Sequence, residues 1–255
     1  MLLSPGIAVI ELTAVILGKP NTIYPVLLWD EQEAVLIDTG YPGQADLIAA
    51  ELEKYALPSS GLSRIILSHQ DIDHIGSLPV LVERAAGAIA VLSSPFEKPY
   101  IEGKLRLLRI TPEAIEQAVN SLPSNVSEQW KIAFRHSLEN PPNSPVHETL
   151  EDGQELPICG GVVAIATPGH TPGHLSFYHR TSKTLIAADA LTVNEAGELC
   201  GPDAVTTFDP QQARHSIGKL LNYDIAAVTC YHGGLYQGDV RTKLLELSQA
   251  ETMKG

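Results

Sequence analysis

The densest run of reactive side chains is SHQDIDH (68–74), in which His69, Asp71, Asp73 and His74 fall within six residues. Neutral imidazole offers a nitrogen donor and carboxylate an anionic oxygen, a mixed set that suits zinc, iron or manganese. In an extended chain alternate side chains share a side, so positions 69, 71 and 73 are expected to face the same way. Three further groups lie downstream: His170 in TPGHTPGH (167–174), Asp189 after LIAA (185–188), and His232 in YHGG (231–234). A single His or Asp at a strand end is commonly a cap or turn residue. Four strand ends that each offer ligands exceed what capping explains. His69, Asp71, Asp73, His74, His170, Asp189 and His232 therefore read as one metal-binding site.

Each of these groups follows a short apolar run: RIILS (64–68), GVVAIAT (161–167), LIAA (185–188) or AAVTC (226–230). Such runs read as buried strands, and the carboxyl ends of strands are where α/β folds place their sites. Residues 7–17 read as another strand. TIYPVLLWD (22–30), the acidic turn EQE and AVLIDTG (34–40) read as a β-hairpin whose second arm ends at Asp38-Thr39-Gly40. Leu47, Ile48, Leu52 and Tyr55 stand at helical spacing within 43–56, and Pro58 and Gly61 stop that helix. A second helix is expected over 78–86 and a strand in AIAVLSS (88–94). Residues 95–148 are richer in Pro and polar residues, with helix-like stretches at 111–122 and 127–134 and a PPNSP loop at 141–145. This segment reads as an insertion or cap near the site. Strands return after Gly153 (ELPI, GVVAIAT, HLSFYH, TLIAADA), followed by a helix at 210–222, the strand AAVTC and a last helix at 238–249. Two halves, each of strands followed by helices, predict an α/β fold of two sheets packed face to face with helices outside. The expected organisation is one domain over 1–255.

The composition allows a large core, with 255 residues of which 44% are hydrophobic. The net charge is −13, which repels phosphate backbones and anionic membranes and argues against nucleic-acid or membrane partners. Three widely spaced cysteines, Cys159, Cys200 and Cys230, make a disulfide framework a poor reading and a reducing compartment the better one. The start, MLLSPGIAVIELT, lacks a basic region before its short apolar run, and no uncharged stretch approaches the roughly 20 residues that span a bilayer. A cytoplasmic location is expected.

The ordered set HQDIDH, GHTPGH, AADA and YHGG, preceded by DTG at 38–40, resembles the metallo-beta-lactamase superfamily, whose signature runs H-x-H-x-D-H, a later G-H-T-x-G-H, a later Asp and a final His. The resemblance covers the chain outside 95–148 and implies a four-layer αββα sandwich. It implies one metal at His69, Asp71 and His170, a second at Asp73, His74 and His232, and Asp189 bridging both. Asp38 would order ligands by hydrogen bonds, and His174 would support the site without ligating. Asp71 departs from the signature, which has a second histidine there. Two divalent ions then face three carboxylates, a less positive centre with a less acidic bridging water, and the added oxygen ligand favours iron or manganese over the zinc usual in the family.

The chemistry implied is hydrolysis of a small-molecule ester, lactone or thioester by a metal-bound hydroxide, with two ions about 3.5–4 Å apart and Asp73 accepting a proton. Glyoxalase II-like enzymes and lactonases are the nearest functional models. Lactonases of the quorum-sensing type carry a tyrosine three residues after the bridging Asp, where this chain has Thr192. EKPYIEG (97–103) offers Lys98 or Tyr100 as a substrate contact, with ordinary surface placement the favoured reading of both. Alternatives implied by the same fold are phosphodiesterase activity and iron redox chemistry of the flavodiiron or persulfide-dioxygenase kind; a non-catalytic binding module is a third reading. Homodimers are common among such hydrolases.

Overall fold

The computed structural model describes residues 1–16, 18–123 and 126–250. The first half of the chain runs β1 (Leu2–Ser4), β2 (Ile7–Val9), β3 (Leu12–Ile16), β4 (Lys19–Ile23), β5 (Val26–Trp29), β6 (Ala34–Ile37), α1 (Ala45–Leu52), β7 (Leu62–Ile66), α2 (Ile72–Ile75), α3 (Leu78–Arg84) and β8 (Ala90–Ser93). Three helices follow: α4 (Lys98–Ile101), α5 (Pro112–Asn120) and α6 (Glu128–Glu139). The second half runs β9 (Glu148–Thr149), β10 (Glu155–Leu156), β11 (Val162–Ala166), β12 (Leu175–His179), β13 (Thr184–Ala188), β14 (Thr192–Val193), β15 (Leu199–Cys200), α7 (Pro210–Leu220), β16 (Ala227–Cys230), β17 (Gly234–Tyr236) and α8 (Val240–Gln249).

Two sheets carry the fold. One has the order β1-β2-β5-β6-β7-β8-β9 and the other β10-β11-β12-β13-β16-β17. Their central strands, such as β6, β12 and β13, are buried on both faces, and period-2 alternation sorts the side chains. Leu36, Ile65 and Leu67 face outward against Ala45 and Ile48 of α1 and Leu78 of α3. Val35, Ile37 and Ile66 face inward against Val162, Ala164 and Phe177 of the second sheet. Val163, Ile165 and Leu185 face the other way, against Ile217 and Leu220 of α7 and Leu244 of α8. The resulting order is helix, sheet, sheet, helix, as the sequence resemblance implied. Helices α5 to α8 start on side-chain caps: Thr111, Ser127, Asp209 and Asp239 accept from the backbone N–H three residues on.

The strand expected over 7–17 is two strands. The chain leaves the first sheet after Val9, and β3 pairs instead with β4 in a separate hairpin. Glu11 is exposed between buried Ile10 and Leu12, and Val15 is 72% exposed, so the far half lacks the second covered face that the apolar run suggested. Leu17 lies outside the described residues. In the segment 95–148, Ile101, Leu107 and Val146 pack into the outer cluster of the first sheet, and β9 rejoins that sheet in parallel with β8. No disulfide forms among the described residues, where Cys159, Cys200 and Cys230 are all free. No described helix is long and apolar enough to cross a membrane.

Candidate metal centre

The site is built from loops at the carboxyl ends of β7, β11, β13 and β16, which deliver His69, His170, Asp189 and His232. The loop after β6 prepares the first of these. Asp38 is buried with φ 64, a conformation Asp tolerates better than most residues. Its Oδ1 accepts from Ser68 N at 2.8 Å, and its Oδ2 from Ser68 Oγ at 2.8 Å and His74 Nδ1 at 2.9 Å. Holding the His74 proton on Nδ1 leaves Nε2 bare and aimed inward.

The 68–74 run is not extended throughout. Asp71 is the N-cap of α2, with His74 N donating to Asp71 O at 2.9 Å and Ile75 N to the same oxygen at 3.1 Å. The expected common side for 69, 71 and 73 is therefore corrected: the helical turn sets Asp73 beside His74 and His232, while Asp71 stays beside His69 and His170. The turn is held by Gly76, whose backbone packs directly on Gly40, Tyr41 and Pro42.

Two ligand groups result. Potential ligand atoms of His69, His170 and Asp189 lie within 4.8 Å of one another, and so do those of Asp73, His74 and His232. Asp189 faces both groups, with Oδ2 at 3.4 Å from His170 Nε2 and 3.6 Å from His232 Nε2, and Oδ1 at 3.5 Å from His74 Nε2. His232 Nε2 stands 3.3 Å from Asp73 Oδ2. Buried His69 Nε2, His74 Nε2 and Asp189 Oδ1 have no hydrogen-bond partner. Buried polar atoms of this kind are costly unless something pairs them, and bare imidazole nitrogens facing carboxylates fit a divalent cation.

The charges agree with that fit. Burial raises the Asp189 carboxyl, but His74 and His232 outweigh it and hold it well below the usual carboxylate range. Burial lowers His74, yet Asp38, Asp189 and Asp73 lift it well above the ordinary imidazole value. His232 is likewise opposed by burial and raised by Asp189 and Asp73, to about 10. Without a cation these histidines hold protons in its place, so metal uptake must displace them.

His174 is buried in the same neighbourhood and has no free nitrogen. Its Nε2 accepts from Asp189 N at 3.2 Å, so its Nδ1–H donates to Thr167 Oγ1 at 2.8 Å. It ties the β11 loop to the β13 loop. The β11 loop is also seated on α7, because Gly169, at φ 141, leaves no room for a Cβ against Ala213. Tyr231 completes the frame. Its ring stacks on His74 at 3.8 Å, and its hydroxyl donates to Asp73 O at 2.5 Å.

Asp71 stands near both His69 and His170, at 3.4 Å and 3.2 Å from their Nε2 atoms. It is also claimed by a residue that sequence reasoning missed: Arg109 Nε donates to Asp71 Oδ2 at 2.5 Å. Gln70 and Glu97 were missed as well. Buried Glu97 accepts from Gln70 Nε2 (2.7 Å), Thr171 Oγ1 (2.8 Å) and Gly173 N (2.9 Å), fastening the β7 loop to the β11 loop. Lys98 and Tyr100 do not line the cavity, in keeping with the favoured reading of the two. Lys98 Nζ donates to Val146 O, and Tyr100 stacks on Phe96. Both ligand groups open into a cavity of about 420 Å³ whose wall includes Tyr41, Leu107, Arg109, Ile110, Thr192 and Asp203.

Comparison with known proteins decides the family. The family model for the Metallo-beta-lactamase superfamily matches residues 18–232. The chain belongs to this superfamily. The "Probable metallo-hydrolase YflN" of Bacillus subtilis is 33% identical over 239 residues, spanning 89% of this chain and 86% of that protein. A hydroxyacylglutathione hydrolase of Mesorhizobium japonicum is 28% identical over 160 residues, 59% of each. Among solved structures, a metallo-beta-lactamase family protein from Thermus thermophilus superposes with a TM-score of 0.66 at 24% identity, covering 97% of this chain and 79% of that one. That likeness speaks for the fold. The superfamily is one of metallo-hydrolases that commonly bind divalent metals, and the two residue groups described above could hold such ions.

Proposed function

We propose that this chain, acting as one domain with 95–148 as a wall of its cavity, hydrolyses an ester, lactone or thioester of a small molecule. His69, Asp71 and His170 would hold one divalent ion, Asp73, His74 and His232 a second, with Asp189 shared. The observation that carries the reading is the pair of buried Nε2 atoms on His69 and His74 that have no hydrogen-bond partner and face carboxylates at the base of an open cavity. When bound, the ions supply Lewis acidity and a water of lowered pKa.

The chain's own residues would do the rest. Burial raises the Asp73 carboxyl, but His74 and His232 outweigh it, so it is ionised at neutral pH and able to accept the proton of an attacking water. Tyr41 lines the cavity, and burial with the Asp73 and Asp189 charges raises its phenol, which stays protonated and can donate to a substrate oxygen. This places a phenol in the cavity although Thr192 stands where the lactonases carry theirs. The similarity to a hydroxyacylglutathione hydrolase supports an acyl substrate. The Asp203 carboxylate on the wall and the charge of −13 disfavour phosphodiesters. The oxygen donor of Asp71 favours a harder ion and keeps iron redox chemistry as the second reading.

A panel of ester, lactone, thioester and phosphodiester substrates tests this with zinc-, manganese- and iron-loaded protein. Cleavage of an acyl substrate is expected. Oxygen consumption by the iron form with no acyl cleavage would replace hydrolysis by the second reading.

A further inference from the structure

Arg109 holds two expected ligands at once. Its Nε donates to Asp71 Oδ2 at 2.5 Å, and its Nη2 lies 3.1 Å from His170 Nε2 and 3.3 Å from His170 O. The outer face of the guanidinium is covered by Phe208, 4.7 Å from Cζ to the ring centroid. It is the single Lys or Arg among the described residues that line the cavity, which also include Asp71, Asp73, Asp189 and Asp203. A buried relay sets its position: Glu97 fixes the Gln70 amide, and Gln70 Oε1 accepts from Leu108 N at 2.7 Å. Gln70 and Glu97 are both fully buried, so this relay is part of the folded core and not a surface contact. The residue after Leu108 is thereby delivered over Asp71.

We propose that Asp71 and Arg109 act as one ligand pair of zero net charge, in which Arg109 is a positioning residue that neutralises Asp71 and clamps it beside His170. This rests on the metal reading given under Proposed function. Three carboxylates crowd the base of the cavity, and charges a few ångströms apart in a partly buried site interact more strongly than in bulk water. With Arg109 in place, a cation at the His69–His170 position meets a neutral pair instead of a free carboxylate. Metal affinity should therefore follow the summed charge at positions 71 and 109.

The test is a four-member cycle read by zinc competition with a chromophoric chelator, on variants matched to the parent by circular dichroism. Arg109→Met leaves the pair at one negative charge, and zinc should bind about tenfold more tightly. Asp71→His leaves it at one positive charge, with a guanidinium facing the ion, and zinc should bind about tenfold more weakly. The double variant returns to zero and should match the parent. Arg109→Gln serves as a second neutral variant, and Arg109→Lys, which keeps the charge without the fork, should bind as the parent does. If Arg109 only braced its loop, its removal would weaken zinc binding in both backgrounds instead of tightening it, which overturns the proposal. Equal affinities across all four members overturn it too, while leaving the metal reading intact. Failure of the parent to take up zinc, manganese or iron overturns that reading and the proposal with it.

Discussion

At the scale of single residues, Asp189 and His174 look interchangeable in the chain, since each is a polar group at the edge of an apolar strand. The structure separates them by what their atoms are free to do. Asp189 Oδ1 is buried without a partner and its other oxygen faces two imidazoles, whereas both nitrogens of His174 are spent on Asp189 N and Thr167 Oγ1. Asp189→Ala should therefore lose metal and abolish hydrolysis, and it should melt at about the temperature of the chelated parent, not of the loaded one. His174→Ala should keep its metal and much of its activity but unfold more easily, by about 1–3 kcal/mol, because Asp189 N is left buried and unpaired. Metal content per chain, thermal melts and urea unfolding of the two variants check this. Equal metal loss in both would remove the distinction between the ligand and its support.

At the scale of elements, the short helix α2 decides how one run of seven residues feeds two metal positions. Its hinge is Gly76, at an ordinary helical φ of −59, where a Cβ would stand 2.3 Å from Pro42 N and 2.5 Å from Gly40 O. The objection to a side chain there is contact alone, not backbone strain. Gly76→Ala should cost about 1–3 kcal/mol, the usual range for overpacking, and should displace Tyr41 from the cavity wall. Gly153→Ala, with nothing near its Cβ, bears only the penalty of its φ of 77 and keeps the site intact. Thermal melts together with tyrosine quenching by bound cobalt separate the two outcomes. The same element shows what could be read from sequence. Strands such as 64–68 and 161–167 are legible because alternation and apolar runs are local, and each ligand follows one directly. The turn at Asp71 is four residues of helix set by contacts with 40–42, more than 30 positions away, and has no local signal. Arg109 is equally illegible: Leu108 is delivered by Gln70, 38 residues upstream, through a bond that neither segment announces.

At the scale of the whole molecule, the two sheets meet through an apolar layer, and the charged centre sits at one rim, where four strand ends from both sheets converge. Ions bound there would join the two halves, so stability and metal occupancy are linked. In the chelated protein, His74 and His232 have raised values in the fold, so their contribution is complete below the unfolded value of 6.5 and is lost as pH rises through about 10 for His232. Asp71 and Asp189 have depressed values, so theirs is present above 3.8 and is lost as pH falls into the acid range. His170, His174 and His179 are held below the ordinary value by burial and act in the opposite sense, costing stability as pH falls below 6.5, while the share of His74 and His232 fades toward pH 10. Metal binding requires the same two histidines neutral, so the loaded protein gains affinity over the interval in which the chelated one loses stability. Ions present at a thousandfold excess over their dissociation constant would add about 4 kcal/mol, on the order of 10 °C in melting temperature at this size. The gap in melting temperature between loaded and chelated protein should therefore widen from pH 6 to pH 10, as followed by circular dichroism at fixed free metal. A gap that stayed constant or closed over that range would mean that His74 and His232 do not exchange their protons for a metal ion.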